Sequence, residues 1–131
     1  MENQIDYYFD IVSPYSYIAS MQIEEVANRV NANVNWKPFL LGGVFNAVGT
    51  TQPPGLHPTK KPYLLKDLQR LTGHLKIPIK FPSDFPVRTV LAMRALCGFN
   101  ADEIPQAAQT LFKAYWVNNQ DIADPEVVAS L

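Results

Sequence analysis

The residues with the clearest capacity for chemistry are two serines in the stretch Ser13-Pro14-Tyr15-Ser16. An apolar segment rich in β-branched and aromatic residues precedes this stretch, and a run of good helix formers follows it. Ser13 is therefore expected where a strand ends and a helix begins. In an open α/β sheet, ligands collect at this end of the strands, where helix N-termini present free N–H groups that suit a small anion or a thiolate. A serine cap followed by proline also starts helices that have no chemical role, so this structural alternative stays open.

The elements that must position Ser13 are predicted to form a βαβ unit. Residues 4–12 predict a strand that is apolar at nearly every position, as in strands of parallel sheets that are buried on both faces. A long helix with a broad apolar face is expected from residue 17 to about residue 30. Residues 33–39 alternate polar and apolar side chains, which is typical of a half-buried strand. Two strands joined by one helix within so short a stretch of sequence are expected to pair in parallel.

The rest of the chain predicts helices joined by irregular segments. A short helix over residues 40–49 leads into a proline-rich stretch, 50–62, that cannot be regular structure and whose charges are Lys60 and Lys61. Either lysine could capture an anion near Ser13 or simply lie on a solvated loop. Further elements are expected as a helix from 63 to 75, an extended segment at 77–86, a buried helix at 87–99, an amphipathic helix at 101–116 and a helix start at Asp124.

Composition limits the possible classes of protein. The chain has 131 residues, enough for one domain or part of one, with 47% apolar and 18% charged residues, so global disorder is not expected. The formal net charge of −1 argues against nucleic acid or an anionic membrane as the main partner. The single cysteine, Cys97, cannot form an internal disulfide and is expected to be a small buried hydrophobe. Without a recognisable leader or membrane-spanning run, a cytoplasmic protein is expected.

The stretch from Tyr8 to Tyr17 resembles the N-terminal motif of the kappa-class glutathione transferases and of their bacterial relatives, the 2-hydroxychromene-2-carboxylate isomerases. The resemblance extends over almost the whole chain and in the right order, through residues 37–42, 53–56, 63–70, 77–79, 81–82 and 116–122.

This resemblance implies an α/β fold of the thioredoxin type, with a mainly helical domain inserted after the first βαβ unit. Residues 1–45 would form the N-terminal βαβ part, and residues 46–131 the loop and an incomplete helical insertion. Members of the family continue with further helices and strands, so the C-terminal part of the thioredoxin fold is expected to be missing and the chain to be truncated.

The resemblance also implies the site. Ser13 and Ser16 stand where oxidoreductase relatives carry two cysteines, so disulfide exchange at this motif, as in a DsbA-like oxidoreductase, is excluded. Glutathione is the implied cofactor, and Ser13 would stabilise its thiolate as the catalytic residue. The implied contacts are Pro14, Lys60 and Thr50 for glutathione, and Tyr15 and Phe85 for a small aromatic substrate. No metal is expected, and the family implies a homodimer.

Two classes of function are left open. The first is an enzyme of aromatic catabolism, a glutathione-dependent isomerase that leaves glutathione unconsumed, with a kappa-type transferase that consumes it as the close alternative. The second is an inactive, truncated module that self-associates through an exposed sheet edge and uncovered apolar helix faces.

Overall fold

A short parallel sheet and seven helices make up the part of the chain that the computed structural model describes, residues 2–51 and 53–131. The elements in chain order are β1 (Asn3–Phe9), α1 (Pro14–Ser20), α2 (Ile23–Arg29), β2 (Ala32–Pro38), α3 (Leu41–Ala47), α4 (Lys60–Leu75), α5 (Val90–Cys97), α6 (Ile104–Trp116) and α7 (Pro125–Ser130). Gln52, in the predicted loop, lies outside the described residues. No described helix is long and apolar enough to cross a membrane.

The predicted βαβ unit is confirmed. β1 and β2 pair in parallel from Asn3 opposite Ala32 to Phe9 opposite Pro38. The expectation that β1 is buried on both faces is wrong, because its burial alternates: Tyr7 and Phe9 are buried, whereas Tyr8 is 58% exposed. The described helices therefore cover one face of this strand, and its aromatic residues are distributed between core and solvent.

The single helix predicted after Ser13 is two helices, α1 and α2, with a break at Met21 and Gln22. The carbonyl oxygen of Ser20, which a continuous helix would use internally, accepts a 2.8 Å hydrogen bond from the side chain of Gln109 in α6. The Ser20 hydroxyl and the Gln22 amide also donate to carbonyls of the preceding turn. These side-chain bonds compete with the helical ladder and end α1 early.

The helix predicted from residue 63 begins earlier, at Lys60, so residues 60–62 are helical and were wrongly assigned to the irregular stretch. The assignment rested on Pro62. A proline within the first helical turn removes an N–H group that has no partner inside the helix, so it is tolerated there. The turn is closed by a 2.9 Å hydrogen bond from the N–H of Lys61 to the carbonyl of His57.

The helix predicted at residues 87–99 is shorter and less buried than expected. α5 begins at Val90, one residue after Thr89, and the side chains of Leu91 and Arg94 are exposed. Cys97 is also exposed, so its interpretation as a buried small hydrophobe is wrong. The segment is apolar at most positions, which predicted burial on all sides, but the helix packs against the core through one face only.

The amphipathic pattern predicted for α6 is confirmed, although the helix begins at Ile104 instead of residue 101. Its buried residues are Ala108, Leu111, Phe112, Ala114, Tyr115 and Trp116. Trp116 is fully buried, and its ring packs against Tyr17, Phe81 and Phe85. Its indole N–H donates a 2.7 Å hydrogen bond to the carbonyl of Ile11, so the core residue also fixes the loop between β1 and α1.

Candidate functional site

A cavity of about 520 Å³ lies at the C-terminal end of β1. It falls within the range of roughly 300–1,000 Å³ that is typical of small-molecule sites. We call it the Ser13 cavity. It is lined by residues 12–15, 40–43, 53–56 and 85–90, together with Asp10, Phe45 and Leu64. Most of these side chains are apolar, so the cavity suits a ligand with an apolar or aromatic part.

Ser13 lies in the wall of this cavity and caps α1. Its backbone is extended, with φ −86° and ψ 118°, and its Oγ accepts a 3.2 Å hydrogen bond from the N–H of Ser16. Pro14 occupies the first helical position, where its missing N–H costs nothing. The capping role is therefore confirmed. A serine hydroxyl also has one O–H to donate, and this donor is available to a ligand because Oγ acts in the cap only as an acceptor.

Ser16, the second serine of the motif, does not line the cavity. Its Oγ accepts a long, 3.5 Å hydrogen bond from the N–H of Asp10, and its carbonyl accepts a 2.5 Å hydrogen bond from the phenol of Tyr7. Ser16 is therefore used for structure, and Ser13 is the hydroxyl of this motif that a ligand in the cavity could reach.

Asp10 is a buried carboxylate in the cavity wall, with 1% of its surface exposed. Oδ1 accepts a 3.1 Å hydrogen bond from the N–H of Val12, and Oδ2 accepts a 2.9 Å bond from the N–H of Leu41, the first residue of α3. These two N–H groups satisfy the carboxylate, and Asp10 in turn caps α3, whose own N-cap residue makes no side-chain bond.

Tyr15 lies in the wall beside Ser13 and also contacts α4. Its phenol donates a 2.6 Å hydrogen bond to Oδ2 of Asp67. Burial, followed by the interaction with the Asp67 carboxylate, raises the pKa of Tyr15 to about 12. The phenol therefore keeps its proton at neutral pH and serves as an apolar wall and a fixed donor, not as a base.

Phe85 lines the cavity and packs on the loop at residues 53–56. A Cβ added at Gly55 would lie 2.8 Å from Cε1 of Phe85, so glycine is needed for this close approach. The ring also contacts Phe81 and Trp116. The position of Phe85 therefore fits both predictions made for it, a substrate wall and hydrophobic packing.

The structure gathers four of the six predicted site residues around one cavity: Ser13, Pro14, Tyr15 and Phe85. Lys60 and Thr50 are exposed and do not line it. Lys60 is the first residue of α4, and Thr50 follows α3, its N–H bonding to the carbonyl of Phe45. Their assignment to glutathione stays a prediction.

Three polar residues of the wall were not assigned a role from the sequence: Asp10, Arg88 and Thr89. The role of Asp10 could have been predicted from the sequence, because a carboxylate at the end of an apolar strand must find hydrogen-bond partners. Arg88 and Thr89 could not be recognised as wall residues from the sequence, because the predicted helix at residues 87–99 includes both. Among the described residues, no cluster of three or more His, Cys, Asp or Glu could hold a metal ion.

Comparison with known proteins identifies the family. A family profile described as the DSBA-like thioredoxin domain matches residues 4–131. The chain belongs to this family. The expected α/β fold class of the thioredoxin type is thereby confirmed. A solved structure titled 2-hydroxychromene-2-carboxylate isomerase superposes with a TM-score of 0.80 at 24% identity, covering 97% of this chain and 64% of its own.

The relatives of this chain include both kinds of protein that its sequence resembles, kappa-class glutathione transferases and 2-hydroxychromene-2-carboxylate isomerases. Human glutathione S-transferase kappa 1 is 33% identical over 132 residues, which cover 95% of this chain and 58% of that protein. The 2-hydroxychromene-2-carboxylate isomerase of Sphingobium xenophagum is 29% identical over 86 residues, which cover 65% of this chain and 44% of that protein. The chain thus spans about half the length of these relatives. The division at residue 45 and the truncation stay predictions.

Proposed function

We propose that this protein is a glutathione-dependent isomerase that acts on a small aromatic substrate. The observation that carries the proposal is the position of Ser13: its Oγ is fixed by the N–H of Ser16 at 3.2 Å, its O–H donates to no other described residue, and it lies in the wall of a largely apolar cavity of about 520 Å³.

The role of Ser13 is to hold a sulfur anion. A hydroxyl donor lowers the pKa of a thiol to which it donates, because the hydrogen bond favours the charged form. α1 is short, Pro14 has no N–H, and the N–H of Ser16 already bonds to Oγ of Ser13, so we assign the lowering of the thiol pKa mainly to the Ser13 hydroxyl. Glutathione, when bound, would supply the nucleophilic thiolate.

The remaining walls suit an aromatic substrate. Tyr15 and Phe85 provide aromatic surfaces, and residues 40–43 and 53–56 add further apolar surface. The phenol of Tyr15 is fixed by Asp67, so this wall is already formed without a ligand. A cavity of this kind orients a flat apolar ring through shape and excludes water from it.

A transferase of the kappa type is the second candidate. The observation that favours it is the extent of similarity: the human kappa transferase matches over 95% of this chain, whereas the Sphingobium xenophagum isomerase matches over 65%. Both candidates need the same thiolate at Ser13. They differ in whether glutathione is recovered unchanged or is found joined to the substrate.

The experiment is a calorimetric titration of glutathione into the wild-type chain, Ser13→Ala and Ser16→Ala. We expect Ser13→Ala to weaken binding, and Ser16→Ala, whose side chain does not line the cavity, to leave it unchanged. Equal behaviour of the two variants would contradict the proposal. With binding established, mass spectrometry of glutathione after incubation with 2-hydroxychromene-2-carboxylate separates an isomerase, which returns it unmodified, from a transferase.

We propose a homodimer as the assembled form. Exposed Tyr8 on the sheet and exposed Val26 and Val30 on and after α2 offer apolar surface for self-association. Light scattering at several concentrations tests this, and a monomer at all of them would contradict it. An inactive self-associating module, by contrast, would dimerise without binding glutathione.

A further inference from the structure

We propose that Tyr7 is a positioning residue for Ser13: its phenol anchors the backbone of Ser16, and the N–H of Ser16 in turn fixes the hydroxyl of Ser13. The inference rests on the proposed function and adds a residue outside the cavity on which that function depends. It starts from two hydrogen bonds of Ser16. Its N–H donates to Oγ of Ser13 at 3.2 Å, and its carbonyl accepts from the phenol of Tyr7 at 2.5 Å.

The two bonds lie on either side of one Cα atom, that of Ser16. A rotation of this backbone that breaks the bond to Tyr7 therefore also moves the N–H away from Ser13. The side chain of Ser16 has a weaker bond, because the N–H of Asp10 lies 3.5 Å from its Oγ, at the limit of a hydrogen bond. Tyr7 thus provides the shorter of the two anchors that reach Ser16 from β1 and its following loop.

An external anchor matters because α1 is short. It has seven residues, and isolated helices of this length are only marginally stable in water, so its position depends on contacts with other elements. Inside the first turn, the N–H of Tyr17 bonds to the carbonyl of Ser13 at 3.1 Å. This bond keeps the shape of the turn but does not join it to the sheet. The bond from Tyr7 does, since Tyr7 lies in β1.

Tyr7 is itself firmly held. It is 8% exposed, its ring stacks on Phe9 with 5.3 Å between centroids, and it packs edge-on against Trp36 at 4.9 Å. Burial raises the pKa of the phenol, so the hydroxyl remains a donor at neutral pH. A phenylalanine ring would keep this packing without the hydroxyl. The hydroxyl of Tyr7 therefore contributes its bond to Ser16, and this contribution can be removed alone.

The consequence falls on the thiol of bound glutathione. Because Oγ of Ser13 accepts the N–H of Ser16, its own O–H has fewer orientations. A donor that is oriented in advance stabilises an anion better than one that must first reorient. Loss of the Tyr7 hydroxyl should therefore leave glutathione bound and raise the pKa of its thiol.

The first measurement is amide hydrogen exchange of the chain without ligand, in wild type and Tyr7→Phe. We expect exchange of the Ser16 N–H to become about fivefold faster, the usual effect of one lost hydrogen bond. Tyr115→Phe is the matched control: Tyr115 is also buried, its phenol donates to the carbonyl of Asp84 at 2.8 Å, and it does not line the cavity. Unchanged Ser16 exchange in Tyr7→Phe, or an equal increase in Tyr115→Phe, would overturn the inference.

The second measurement is the pKa of the bound glutathione thiol, which a merely structural role of Tyr7 would not move. We expect a value in Tyr7→Phe between those of wild type and Ser13→Ala, and the wild-type value in Tyr115→Phe. Faster Ser16 exchange with a wild-type thiol pKa in Tyr7→Phe would make Tyr7 structural and overturn the inference.

These two measurements also separate the inference from the proposed function. If the wild-type chain does not bind glutathione, the proposed function fails, and the exchange of the Ser16 N–H alone decides whether Tyr7 positions Ser13. If Ser13→Ala raises the thiol pKa and Tyr7→Phe changes neither exchange nor pKa, the proposed function stands and the inference fails.

Discussion

The carboxylate of Asp10 accepts a 2.9 Å hydrogen bond from the N–H of Leu41, a residue 31 positions further along the chain. This bond joins the loop that carries Ser13 to the first turn of α3, and both form walls of the Ser13 cavity. The geometry around Ser13 therefore depends on a buried charge that does not need to touch a ligand itself.

Replacing Asp10 by asparagine should destabilise the protein by about 1–3 kcal/mol, since an amide places a donor against one of two backbone N–H groups that need an acceptor. Urea unfolding measures the change in the free energy of unfolding. Asp6→Asn is the control, because Asp6 is exposed and its partner is a surface lysine. Equal losses in the two variants would show that the bonds to Val12 and Leu41 contribute little.

Gly55→Ala should displace the ring of Phe85, because the new Cβ would lie 2.8 Å from Cε1 and 3.1 Å from Cζ of that ring. We expect a loss of roughly 1–3 kcal/mol in unfolding free energy, typical of overpacking. Combining it with Phe85→Leu should relieve part of this loss. Gly73→Ala, where nothing lies within 4 Å of the added Cβ, should instead stabilise α4. A neutral Gly55→Ala variant would contradict the close packing.

Tyr15 should ionise near pH 12, because burial and the Asp67 carboxylate raise its pKa above the usual value of 10. The unfolded chain loses this proton at lower pH than the folded chain does. The contribution of Tyr15 to stability is therefore complete below pH 10 and is lost as the pH rises towards 12.

Ultraviolet titration of tyrosinate absorbance in wild type and Tyr15→Phe isolates this group, with Tyr8→Phe as a control, because Tyr8 is exposed on the sheet and does not contribute to the raised pKa of Tyr15. Asp67→Asn should lower the pKa of Tyr15 and still leave it above 10, because burial is the larger cause. A titration of Tyr15 at its ordinary pKa would contradict the packing described here.

Several features that a single segment decides were predicted correctly from local patterns. The cap at Ser13, the buried stripe of α6 and the cap at Asp124 all depend on neighbours within one or two turns, and the structure has each of them. The parallel pairing of β1 and β2 follows equally from one short βαβ unit.

Features that depend on distant segments could not be predicted in this way. Besides the local bonds of Ser20 and Gln22, the break between α1 and α2 involves Gln109, which is 89 positions from the carbonyl of Ser20 that it bonds. The role of Asp10 depends on Leu41, and the cavity contact of Arg88 depends on where α5 begins. In each case, packing between elements overrides the preference of the local sequence.

The central claim is that the Ser13 hydroxyl stabilises a thiolate, and the pKa of the bound glutathione thiol tests it most directly. The measurement is a pH titration of thiolate ultraviolet absorbance in complexes with wild type, Ser13→Ala and Ser13→Thr. Loss of the cap in Ser13→Ala should cost about 1 kcal/mol of stability, so the unfolding of each variant is measured in parallel. Ser13→Thr is the control that retains a hydroxyl at this position. We predict a thiol pKa well below its free value in wild type and Ser13→Thr, and a return towards that value in folded Ser13→Ala. An unchanged thiol pKa in folded Ser13→Ala would contradict the account.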